Sequence, residues 1–140
     1  MHRITRPICL FGLILLLSGC TPALYVHLLN ATGELITVSK AQSKDITTIA
    51  VGTAADISPF QLDERLLIRT SKHLWSYSMR DFYQPHWPLA LWQQHPGVMR
   101  TYARVDSRGR IYALAPPHGS EQPREIPQPH GFPMSPRNGT

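Results

Sequence analysis

The sequence predicts an all-β fold, a small antiparallel β-sandwich or partly open barrel of about seven to eight strands, and three observations predict it. Short segments between residues 23 and 115 alternate apolar and polar side chains with the two-residue period of half-buried strands. Two of the intervening loops carry Asn or Asp at the start and Gly at the end, the chemistry of a tight chain reversal. Sustained heptad or 3.6-residue spacing is missing from the same stretch. With 140 residues, 42% apolar and 16% charged, the chain is long enough for one domain and too apolar to be disordered throughout.

Residues 1–19 stand apart. Arg3 and Arg6 lie in a segment without acids, and Ile8 to Leu17 is an almost unbroken apolar run. A basic start and an apolar stretch of about ten residues fit a signal helix and fall short of the ~20 residues that span a bilayer. The run ends in Leu17-Ser18-Gly19-Cys20, which resembles the lipobox of a bacterial lipoprotein signal peptide. That resemblance implies cleavage between Gly19 and Cys20, lipid on the Cys20 thiol and acylation of the new amino group. Several acyl chains hold a protein durably, because each buried CH₂ contributes about 0.8 kcal/mol whereas a single chain binds only marginally. Thr21, where inner-membrane lipoproteins tend to carry Asp, implies the outer membrane and its periplasmic face. Cys9 leaves with the signal and Cys20 is lipidated, so disulfides, thiol catalysis and Cys-ligated zinc drop out.

Only Thr21 and Pro22 separate Cys20 from the first strand pattern, a gap of about 10 Å at ~3.3 Å per residue, so the domain is expected close to the bilayer. From 23 to 40, Val26, Leu28, Ile36 and Val38 share one face if the two arms pair as a hairpin across Ala31-Thr32-Gly33. Strands follow at 47–50 and 53–57 around the turn Val51-Gly52, and at 65–70 and 73–79 around Ser71-Lys72. Pro88 to Gln94 reads as a helical turn or two. From 98 to 115 the first hairpin's grammar recurs: Thr101, Ala103, Val105, Ile111 and Ala113 face inward, and Arg100, Tyr102, Arg104 and Tyr112 face outward as cation–π partners. Seven of the 25 residues from 116 to 140 are proline, so no sheet is expected there, although Ile126, Phe132 and Met134 offer apolar contacts for docking. The organisation is therefore a leader over 1–19, a β-sandwich domain over 20–115 and a Pro-rich tail over 116–140.

Four groups carry candidate chemistry. Trp75, Tyr77, Phe82, Tyr83, Trp87 and Trp92 crowd into 75–92. They serve either as plugs at one end of the core or as a stacking platform for a sugar or peptide, with Tyr83, Trp87 and Trp92 as its contact residues. Arg100, Arg104, Arg108 and Arg110 form the only dense basic patch, a contact for anionic headgroups or an acidic partner, or a solvated face that discourages strand addition. His86 and His95 are the imidazoles best spaced to converge, yet His-x-His and His-Glu-x-x-His are absent and no metal ligands are assigned. Asp56, Asp63, Glu64 and Asp81 read as solvated loop carboxylates. Nucleophile, phosphate-loop and dinucleotide motifs are missing, so neither catalysis nor a cofactor is expected. Without Arg3 and Arg6, twelve basic residues face nine acidic ones, +3, too little for a nucleic-acid binder.

The later chain also resembles short proteobacterial lipoproteins in its Asn-x-Thr-Gly turn at Asn30, its later strand pair and the ending Gln128-Pro129-His130-Gly131-Phe132-Pro133. That likeness brings no activity with it. The expectation is a lipid-anchored, periplasm-facing binding protein or envelope accessory or assembly factor, held to the membrane through Cys20 and meeting an envelope protein or glycan. The alternatives are a glycan- or peptide-binding module at 75–92 and a His-based metal-binding protein.

Overall fold

A computed structural model of the chain describes residues 23–82, 92–95 and 98–138. The leader, Cys20, Tyr83, His86 and Trp87 lie outside the described residues, as do the side chains of Trp92 and His95. The strands are β1 (Ala23–Ala31), β2 (Ile36–Lys40), β3 (Ile46–Ile49), β4 (Ala54–Phe60), β5 (Arg65–Arg69) and β6 (Leu74–Ser78), followed by a helical turn α1 (Met79–Phe82). Then come β7 (Trp92–His95), β8 (Val98–Asp106), β9 (Ile111–Ala115), β10 (Arg124–Glu125) and β11 (Arg137–Asn138). Sheet A runs β10-β9-β8-β1-β4 with β7 also on β8, and sheet B runs β11-β6-β5-β2-β3. The chain is all-β in two sheets.

Alternation along each strand supplies one apolar face per sheet, and the two faces close on a single core. Val26, Leu28, Ile57, Ala103, Val105, Ile111 and Ala113 come from sheet A, and Ile36, Val38, Ile49, Leu66, Ile68, Trp75 and Tyr77 from sheet B. Met79 and Phe82 of α1 cap one end, and Phe82 meets Phe132 edge-on at 6.4 Å.

The first reversal differs from the expected hairpin. Val26, Leu28, Ile36 and Val38 do face one another, but across the core: β1 pairs with β4 and β8, while β2 pairs with β3 and β5. The physical reason is Asn30, which continues the inward row of β1 and is fully buried. Its Nδ2 donates to Glu34 O at 2.8 Å and Ile49 O at 2.9 Å, and its Oδ1 accepts from Thr32 N at 3.0 Å and Thr32 Oγ1 at 2.7 Å. Its main chain is bonded as well, to Thr53 O at 2.9 Å and from Gly52 N at 2.8 Å. One residue, through its side chain and its main chain, thus ties together two of the connections that cross between the sheets, 32–35 and 50–53, and a buried amide is tolerated because its hydrogen bonds are made. The segments at 47–50 and 53–57 likewise fall in opposite sheets.

The sheets are also not wholly antiparallel. β1 and β8 are parallel from Ala23↔Val98 to Ala31↔Asp106, because β8 leaves its antiparallel pairing with β7 already running in the direction of β1. Gln93 and Gln94, expected in a helical turn, lie in β7. The hairpins β5/β6 and β8/β9 form as read.

Strand pairing does reach the proline-rich segment. β10 adds to β9, Met134 exchanges both backbone hydrogen bonds with Ile111 at 2.8 and 2.9 Å, and β11 adds to β6. Gln128 helps, its amide bonding Ala113 N at 2.8 Å and Ala113 O at 3.0 Å in place of a strand neighbour. Proline limits these strands to two residues each without excluding them, since Arg124-Glu125 and Arg137-Asn138 keep their N–H groups.

Candidate functional site

The outward face of sheet A gathers the polar side chains. Cross-strand register sets Asp56 (β4), His27 (β1), Tyr102 (β8), Leu114 (β9) and Glu125 (β10) in one row. Tyr25 lies beside Arg100 in the row below, and Arg104 beside Tyr112 in the row above. Tyr102 and Leu114 are only 5% and 2% exposed, although they point away from the core. After β9 the chain folds back over them, and Pro117, Glu121, Gln122 and Pro123 form the second wall of a cleft of about 280 Å³. His27, Asp56, Arg100 and Tyr102 form its floor.

Asp56 is the pivot of that floor. Its Oδ1 accepts from His27 Nδ1 at 2.8 Å, and its Oδ2 lies 3.3 Å from Arg100 Nη2. The imidazole rests against the Tyr102 ring at 5.1 Å between centroids, and the Arg100 guanidinium sits 5.9 Å from the Tyr25 ring centre. With Nδ1 engaged by Asp56, the capacity left on the imidazole is at Nε2. Arg100 Nε is buried with no hydrogen-bond partner among the described residues. The arrangement can therefore donate and accept hydrogen bonds from fixed, planar groups, while its opposite charges cancel at contact distance.

The other members of the basic patch each have their own setting. Arg104 Nε donates to Glu125 Oε1 at 2.6 Å, and its guanidinium stacks over Tyr112 at 4.3 Å. Arg110 pairs with Asp106 at 2.9 Å and also approaches Tyr112, at 5.6 Å. Burial by itself would raise the Asp106 carboxyl, but the N–H groups of Arg110 and Arg108 and the Arg110 guanidinium hold it below its ordinary range. Arg108 is exposed at the β8/β9 turn. Three of the four arginines are thus neutralised in place by Asp56, Glu125 and Asp106.

Of the crowded aromatics, Trp75, Tyr77 and Phe82 are buried at 7%, 2% and 0% exposure and belong to the core. Tyr77 OH donates to Gly109 O at 2.6 Å, and burial together with the nearby Asp106 pushes its pKa up. Among the described residues no three His, Cys, Asp or Glu converge as metal ligands. Comparison with known proteins adds no relative. No protein-family model, curated protein or solved structure matches the chain.

His27 and Asp56 were not legible as a pair. They are 29 positions apart, and Asp56 reads as a loop residue although it occupies an outward position of β4. The available signal was the alternation itself: Ala55 and Ile57 bracket a single charged residue within a strand-like run.

Proposed function

We propose that the chain is an outer-membrane lipoprotein that works by binding, as an accessory or assembly factor on the periplasmic face of the envelope, and not as an enzyme. The observation that carries this reading is Leu17-Ser18-Gly19-Cys20 after a basic start and a short apolar run. The position of β1 is compatible with it: Ala23 opens the strand three residues after Cys20, so the anchor leaves almost no tether. The start of β8 and the end of β4 lie beside it, through Ala23↔Val98 and Leu24↔Phe60. Under this reading that end of the sheets rests near the lipid and the Asn30 corner stands furthest from it. The cleft on sheet A favours a binding role because it offers a recessed, hydrogen-bonding surface of ligand size.

Fractionation of cells making the wild-type chain and Cys20→Ala tests the anchor, with incorporation of labelled palmitate as the second readout. Wild-type protein is expected in outer-membrane vesicles carrying label. The variant is expected unlabelled and with its leader uncleaved by the lipoprotein-specific peptidase. Label on the Cys20→Ala chain, or wild-type protein free in the periplasm without label, overturns the reading.

A further inference from the structure

The geometry points to the cleft between the outer face of sheet A and residues 116–123 as a binding site for a neutral polyhydroxylated ligand, a sugar unit of an envelope glycan. This inference rests on the binding half of the reading above and names its ligand class; it does not depend on the anchor.

Three features select that chemistry. The first is charge. Asp56 lies against both Arg100 and His27, so the floor supplies no surplus positive field to draw in a phosphate or carboxylate, and Glu121 on the opposite wall adds an acceptor. An anionic ligand would meet the carboxylates of Asp56 and Glu121 along with the Arg100 guanidinium. A neutral hydroxyl needs no such exchange, since it both donates and accepts.

The second feature is capacity. A guanidinium has five N–H donors, and the Arg100 group is engaged at Nη2 by Asp56 while its side chain stays 29% exposed on the cleft floor. His27 keeps Nε2, and the Asp56 oxygens retain lone pairs. Planar groups held by their neighbours give adjacent hydroxyls fixed partners at little entropic cost. The third feature is surface. Pro117 and Pro123 give the cleft apolar patches beside the Tyr102 ring, which suit the C–H faces of a pyranose. The volume of about 280 Å³ lies near the lower end of ligand pockets and suits a short saccharide better than a folded partner.

The test is saturation-transfer NMR and calorimetric titration on the full chain, purified from whole-cell lysate in a detergent without a sugar headgroup. The probes are chitotetraose, for an N-acetylated glycan, maltotetraose, for an unsubstituted one, and tetragalacturonate, for an anionic one. Saturation of the ring protons of chitotetraose or maltotetraose is expected, and which of the two binds identifies the source. Because a lost hydrogen bond to a charged group lowers affinity about tenfold or more, Arg100→Ala should weaken binding by at least that factor, His27→Ala should weaken it by less, and Arg108→Ala should not weaken it. Arg100→Lys guards against a folding defect: it keeps the charge beside Asp56 and loses the planar donors, so affinity should fall comparably at an unchanged melting temperature. Absence of transfer to both neutral sugars, transfer to tetragalacturonate alone, or wild-type affinity in Arg100→Lys overturns the assignment. The detergent sample binds or fails to bind whatever the state of Cys20, so this result and that of the anchor test are read separately.

Discussion

Gly109→Ala is expected to be far more costly than Gly33→Ala, although both glycines close turns at positive φ, +74° and +87°. The left-handed conformation alone costs a residue bearing Cβ about 1–2 kcal/mol. At Gly33 nothing lies within 4 Å of an added Cβ, so that figure is the whole expectation. At Gly109 the Cβ would stand 2.6 Å from Trp75 Cε2 and 2.7 Å from Cδ2, inside van der Waals contact. The indole has little room to withdraw. It is 7% exposed, and His73 stacks on it at 5.6 Å with 12° between the planes. Overpacking of this kind adds about 1–3 kcal/mol, giving about 2–5 kcal/mol in all, a large share of a small domain's stability. Urea unfolding of wild type, Gly33→Ala and Gly109→Ala measures the difference. The cycle is completed in a Trp75→Leu background, where the excess cost of Gly109→Ala should disappear. Equal losses for the two glycine variants, or an excess that survives without the indole, would refute the contact as the cause.

Asn30→Ala removes the side-chain partner of Ile49 O and of the Thr32 N–H, while Glu34 O keeps the Thr32 hydroxyl as donor, so a loss of about 2–3 kcal/mol is expected in the same assay, with Thr32→Ala costing less. Tyr77 has a raised folded-state pKa, so its stabilising contribution is complete below the ordinary tyrosine value of 10.0 and drains away as pH rises above it. Tyr77→Phe should lower stability at neutral pH while flattening the alkaline decline, as followed by circular dichroism. Asp106 runs the other way: its lowered pKa means stability present above 3.8 and lost as acid brings the pH down through the folded value, so Asp106→Asn should soften the acid limb of a pH–melting profile. Ending the chain after Gln122 removes β10, Met134 and β11, and should lower the melting temperature and increase self-association through the uncovered edges of β9 and β6.

The hairpins β5/β6 and β8/β9 could be read directly, because a short polar turn between two alternating runs leaves one pairing to make. The segment 23–40 carries equally good turn chemistry, yet its arms part company. An alternation pattern states which residues face inward, and Val26 and Val38 face inward whether their strands lie side by side or opposite each other. Only Asn30, an amide at a core position, distinguishes a corner from a hairpin, and its partner Ile49 O is remote in sequence. Parallel pairing of β1 with β8 is non-local in the same sense, with no turn to announce it. The tail misleads through composition, since proline content argues against long strands and is silent about two-residue ones. In the candidate site Arg100 was picked out by its cluster of charges, whereas His27 and Asp56 acquire meaning only once β1, β4 and β8 are neighbours.

The course of the C-terminal segment sets a timetable for the molecule's assembly. β1 is the first strand in sequence and sits inside sheet A, yet its partner β8 comes late in the chain, and the pieces that cover β9 and β6 come last of all. A chain emerging stepwise from its N-terminus therefore cannot finish either sheet until β10 and β11 have emerged. Folding so dominated by distant pairing is slow. A protein with that order of events keeps both sheets open for as long as β10 and β11 are held back, and its structure closes only once they are released.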